Sequence, residues 1–256
     1  MSLPDEVLAV AATLRRGLEG ALGDGLAGLF IYGAAMFPHP DGWALDFDFH
    51  ALVERPLTAA ERDSIRHVYA SLARRSALGR ELDGYFVLRA DAAKSEPPVH
   101  QLDRSVRDEA WALHRAHVHA DRYASICGVD PKAIVPVPTW PELDAALRAE
   151  LAFIVTHPEA TAFGILNGSR ILASYQRRDV VLSKYEAAQW ALDALPSEWH
   201  DAVSAALRRY QRGPQPADDD TLVKAWAPFV AFVRTSLPAT YRGRTRPARL
   251  PRRRHV

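Results

Sequence analysis

Asp46 and Asp48 stand one residue apart in the run Leu45-Asp46-Phe47-Asp48-Phe49-His50-Ala51-Leu52-Val53, and this spacing is the first chemical signal in the chain. In an extended strand alternate side chains share a face. The two carboxylates therefore point one way, and Phe47 and Phe49 point the other way, into a core. Ionised groups among so many apolar neighbours are costly unless a cation binds them. A magnesium ion escorting a nucleoside triphosphate would relieve the repulsion between the two acids. Upstream, Phe30-Ile31-Tyr32 ends at Gly33, and Ala34-Ala35 opens a loop of about a dozen residues leading to Asp46. A glycine at a strand end lets the backbone turn tightly and approach a ligand, and the amides that follow can hold a phosphate.

The elements that must position these groups follow from periodicity. Val7, Leu8, Val10, Ala11, Leu14, Leu18 and Leu22 recur at helical spacing, so residues 5–22 read as an amphipathic helix with Asp5 and Glu6 in its first turn. Strands are expected at 28–32 and 46–53. Thr58, with Glu61 three residues on, forms a capping box for a helix running to Arg75. A third strand, 82–88, carries Asp83 near its start. Residues 90–109 read as a connector. From 141 onward the pattern is helical only, at 141–156, 159–176, 183–194, 197–212 and 219–236, entered through Val135-Pro136-Val137-Pro138 and a capping Thr139. The expected fold class is α+β. A mixed-sheet α/β domain spans residues 1–110, a helical bundle spans 111–238, and a basic tail spans 239–256.

Composition narrows the function classes. Apolar content of 48% and charged content of 25% are those of a globular chain with a core of its own. The single Cys127 excludes an internal disulfide framework and fits a reducing cytoplasm. The first residues lack the basic start and apolar core of a signal peptide, and no run is long enough to span a bilayer. The net charge of +1 hides an uneven distribution. Arg242, Arg244, Arg246, Arg249, Arg252, Arg253 and Arg254 lie in the tail, so the rest of the chain is left at −6. An acidic body suits a polycationic small molecule better than nucleic acid. The tail is expected to be disordered, as a solubilising extension or as a contact for a polyanion such as RNA.

Glycine at a strand end, a loop of this length and Asp-x-Asp on the next strand together resemble the nucleotidyltransferase superfamily, whose signature begins Gly-Ser. The carboxyl half sharpens the resemblance. Asn167-Gly168-Ser169-Arg170, Leu182-Ser183-Lys184-Tyr185-Glu186-Ala187-Ala188-Gln189-Trp190-Ala191 and Leu195-Pro196 look like the helical domain of the streptomycin/spectinomycin adenylyltransferases. So does Gly128-Val129-Asp130-Pro131. The likeness extends over about residues 25–236. It implies Mg2+ ions on Asp46 and Asp48, ATP as co-substrate, and transfer of AMP to a hydroxyl of an aminoglycoside or similar small polar acceptor, the chemistry of antibiotic resistance. It implies a third acid as general base, matching Asp83 where the family usually has Glu, with Glu81 two residues earlier as a stand-in. It gives Arg170 and Lys184 to the triphosphate, together with the turn at Gly33 and Ala34. Glu159 is the one acid ahead of the Ser-Arg helix available to the acceptor's ammonium groups.

Two departures stand out. Ala34 replaces the serine that donates to a nucleotide phosphate, and Ala44-Leu45 stands where a Ser or Thr commonly precedes the first aspartate. They motivate an alternative: a catalytically degenerate homologue that binds nucleotide or ligand without turnover. His114, His117 and His119 suggest a metal cluster, but His119 lies on another helical face from His114. No acid or cysteine in the motif completes a site, so core or surface positions are expected for them. Gly23-Asp24-Gly25 lacks the setting of a dinucleotide site and reads as a turn.

Overall fold

The computed structural model describes residues 3–37, 46–213 and 215–238. The loop 38–45 and the arginine-rich tail, on which several expectations fall, lie outside the described residues. The chain divides into two compact units, 1–137 and 138–256. The boundary at Val137 replaces the one expected at 110, because the segment after 110 returns to the sheet.

The first unit opens with α1 (Asp5–Leu22), the helix read from its apolar stripe. A four-stranded mixed sheet follows, made of β1 (Leu26–Tyr32), β2 (Phe47–Val53), β3 (Leu82–Leu88) and β4 (Ala124–Gly128), in the order β3-β2-β1-β4. β1 runs antiparallel to β2 and β4, and β2 runs parallel to β3. A parallel pair needs a crossover, and α2 (Ala59–Arg75) supplies it. Thr58 accepts from the Glu61 amide and Glu61 reaches back to the Thr58 amide, the expected capping box. Two further helices, α3 (Arg89–Ala92) and α4 (Trp111–His119), complete this unit.

Alternation along the strands sends the two sheet faces to different tasks. Leu29, Ile31, Phe47, Phe49, Ala51 and Phe86 pack with Leu14 and Leu18 of α1 and Ile65 and Leu72 of α2 in the main core. Phe30, Tyr32, Leu52 and Val87 face the other way and pack with Trp111 and Val118 of α4. Gly84 of β3 is required by the first face, since a Cβ there would stand 2.1 Å from the Phe49 ring.

The second unit is helical: α5 (Trp140–Thr156), α6 (Thr161–Arg177), α7 (Lys184–Ala194), α8 (His200–Arg212) and α9 (Pro216–Ser236). α6 is its hub, touching each of the other four helices. Gly168 lets the Phe229 ring of α9 come close, because a Cβ there would lie 2.9 Å from it. No helix among the described residues is long and apolar enough to cross a membrane.

Candidate active site

The carboxylates gather on the face of the sheet that α4 covers. Strand register does the positioning: Asp48 pairs with Tyr32 of β1 on one side and with Asp83 of β3 on the other. Three neighbouring strands thus present Tyr32, Asp48 and Asp83 in one row. Asp46 immediately precedes β2 and is partly buried, as is Asp48. Gly33 ends β1 with φ +68°, the left-handed turn its type was expected to allow. A Cβ at Gly33 would stand 1.7 Å from Asp48 Oδ2, so the turn exists to admit that carboxylate. The Ala34 amide donates to the same oxygen at 3.4 Å.

Burial and neighbouring charge both act on the titratable groups here. Burial pushes the Tyr32 hydroxyl well above its ordinary value, and the charges of Asp48, Asp108 and Asp83 push it the same way. Although Asp83 exposes much of its surface, the protein packed around its carboxyl raises its pKa. Asp46 and Asp108 add to the rise, and His114 and His100 oppose it. A raised carboxylate is a stronger base, which suits proton abstraction from a hydroxyl. Glu81 is placed differently from the expectation. It lies outside β3, in the turn before it with φ −103° and ψ 33°, so strand alternation does not carry it onto the Asp83 face. Its carbonyl accepts from the Phe47 amide, and its side chain is exposed.

The helical unit holds the other expected residues. Arg170 on α6 lies 3.7 Å from Glu150 of α5. Lys184 opens α7 behind the Ser183 cap, its ammonium 5.2 Å from the ring centres of both Phe163 and Tyr210. Glu159 is exposed in the turn between α5 and α6. Ser169, the residue before Arg170, spends its hydroxyl on the Ile165 carbonyl within α6.

One group was not legible as such. His50, two residues after Asp48 and on its face, and His114 of α4 both bond Asp108. The expectation that no acid accompanies the histidine motif is therefore corrected: Asp108 stands six residues before His114, and His50 joins from β2. Alternation from Asp46 and Asp48 was the signal that could have placed His50. Burial works against the Asp108 carboxylate, yet the two imidazoles hold it well below the usual range. Burial lowers His50, with the Asp108 bond opposing. His119 turns elsewhere, to the Val135 carbonyl, and His117 is buried beside Phe37.

Comparison with known proteins bears on both units. Residues 135–233 match the family described as aminoglycoside adenylyltransferase, C-terminal domain. No curated protein matches the chain by sequence. Among solved structures, the spectinomycin adenyltransferase AAD(9) from Enterococcus faecialis, with ATP and spectinomycin, superimposes with a TM-score of 0.72. The alignment covers 89% of this chain and 99% of that one at 14% identity, a level at which the likeness speaks for the fold alone. Residues 135–233 thus resemble the C-terminal domain of the aminoglycoside adenylyltransferases, and the chain as a whole shares the α+β fold of the AAD(9) structure.

Proposed function

We propose that this protein is a nucleotidyltransferase that moves AMP from ATP to a hydroxyl of an aminoglycoside or a similar small polycationic acceptor. The observation that carries this reading is the register that sets Asp48 beside Asp83, with Asp46 next to the strand, behind a glycine turn shaped around Asp48. The family match in the helical unit supports it. The donor set fits magnesium. Carboxylate oxygens are the ligands that hard cation prefers, and the pair of carboxylates at Asp46 and Asp48 supplies them. Asp46 and Asp48 would hold the ion, which when bound supplies charge neutralisation at the α-phosphate and the departing pyrophosphate.

The remaining work falls to the chain's own groups. Asp83 takes the proton of the attacking hydroxyl at its carboxylate oxygen. The Gly33–Ala34 turn brings backbone close to the phosphates. Arg170 and Lys184 supply positive charge to the triphosphate, and Glu159 offers an anion to an acceptor ammonium group. We further propose that the enzyme works in the cytoplasm, where ATP is abundant. Replacing Asp83 with alanine is expected to lower kcat by about 10²–10⁴-fold, the usual worth of a general base, while Glu81→Ala stays near wild type. Steady-state pyrophosphate release for both variants checks the assignment.

A second reading is favoured by Ala34, whose methyl group cannot donate to a phosphate: the protein binds nucleotide and does not turn it over. Calorimetric titration with ATP and magnesium, beside pyrophosphate release over an aminoglycoside panel, separates the two. Release with any acceptor supports the enzyme. Binding without release on every acceptor supports the binder.

A further inference from the structure

His50, Asp108 and His114 are the one trio among the described residues whose types and spacing suit a metal ion, with their ligand atoms all within 4.8 Å of one another. His50 Nε2 and His114 Nδ1 approach the same oxygen, Asp108 Oδ2, at 3.0 and 2.8 Å. Two imidazole nitrogens and one carboxylate oxygen form a donor set that suits zinc and its neighbours in the first transition row better than magnesium. With bonds of about 2.0–2.1 Å, donors at the tetrahedral angle zinc favours stand about 3.3–3.4 Å apart. Both nitrogen–oxygen spacings are shorter, so an ion would part the donors by a few tenths of an ångström.

Those distances are also hydrogen-bond distances, so a second observation has to decide. A buried strut of hydrogen bonds leaves few polar atoms unused. Here Asp108 Oδ1 and His50 Nδ1 are both buried with no hydrogen-bond partner. The carboxylate has turned one oxygen to two imidazoles and left the other without a partner, so hydrogen bonding within the protein does not by itself satisfy this buried cluster. The surroundings shield the cluster from water. His50 lies among the rings of Phe30, Tyr32, Tyr85 and Trp111. His50 and Asp108 are fully buried, and the His114 side chain keeps 18% exposure, leaving one open approach.

We propose that His50, Asp108 and His114 bind one zinc-class divalent ion, a site separate in donor chemistry from the neighbouring aspartates. The ion ties β2 to α4 and fixes the helix that covers the carboxylate face. It does not depend on the nucleotidyl-transfer reading.

The test uses the full chain, stripped with chelator, given zinc in excess magnesium, desalted and measured for metal by mass spectrometry. About one zinc per chain is expected, with a higher melting temperature than the stripped protein. Asp48→Asn is expected to retain that zinc, and His114→Gln, chosen because His114 is the least buried ligand, to bind it at least tenfold more weakly. Wild type that retains no zinc, His114→Gln that retains it fully, or loss in Asp48→Asn instead each overturn the proposal. A reading free of any variant comes from nitrogen-15 spectra of the wild-type imidazoles. Two histidines shifting together on zinc addition supports the site, and none shifting refutes it.

Discussion

Asp48→Asn is expected to abolish magnesium-dependent ATP turnover while leaving the protein folded. The substitution keeps the side chain's shape and an oxygen that can accept from the Ala34 amide, so the turn at Gly33 retains its partner. What it removes is the charge that would grip the ion. Metal stabilisation of a developing phosphoryl charge is worth several kcal/mol, so the rate is expected to fall by about 10³-fold or more. Stability should move the other way. Asp48 shares its face with Asp83 and lies in the field that raises Tyr32, so losing one like charge relieves repulsion in the absence of metal. Melting curves with and without magnesium and ATP check both halves: a melting temperature at or above wild type without ligand, and a smaller gain with it. Turnover at the wild-type rate would remove Asp48 from the chemistry.

Gly33→Ala is expected to damage the same site without touching a charge. The added Cβ would stand 1.7 Å from Asp48 Oδ2, far inside contact distance, at a backbone φ of +68°. An L-residue in that region costs about 1–2 kcal/mol. The Asp48 carboxylate must also move aside. Displacement of a reacting group by about 1 Å can cost 10²-fold in rate, so turnover is expected to drop by about that factor or more. The pairing of a modest stability loss with a large rate loss distinguishes this variant from Asp48→Asn. Comparison of kcat and melting temperature in the two proteins makes the distinction.

Much of this arrangement could be read from residue order. The first helix, the capped helix after Thr58, the third strand and the five helices of the second unit fall within a few residues of their expected bounds, because each carries either a strong apolar period or a cap. Asp48 was legible for a simpler reason: alternation leaves no choice of face once Phe47 and Phe49 are in the core, whereas Asp46 stands just before the strand. β4 and α4 escaped. Ala124–Gly128 is short, edge-placed and only partly buried, so it has no alternation to announce it. Trp111–His119 is buried nearly all round, which erases the polar face by which helices are found. Because α4 was not placed on the sheet, Asp108 and His114 could not be seen to meet His50, and their association is a product of tertiary packing. Glu81 misled for a local reason: two residues of separation imply a shared face only inside a strand, and the strand begins at Leu82.

The division between the two faces of the sheet has a consequence for how such a protein can change over time. The side that bears α1 and α2 supplies most of the cohesion, whereas the opposite side bears the acids. Substitutions among those acids would therefore bear on the proposed chemistry more than on the scaffold, so such a chain could change what it acts on, or fall silent, without first losing its shape.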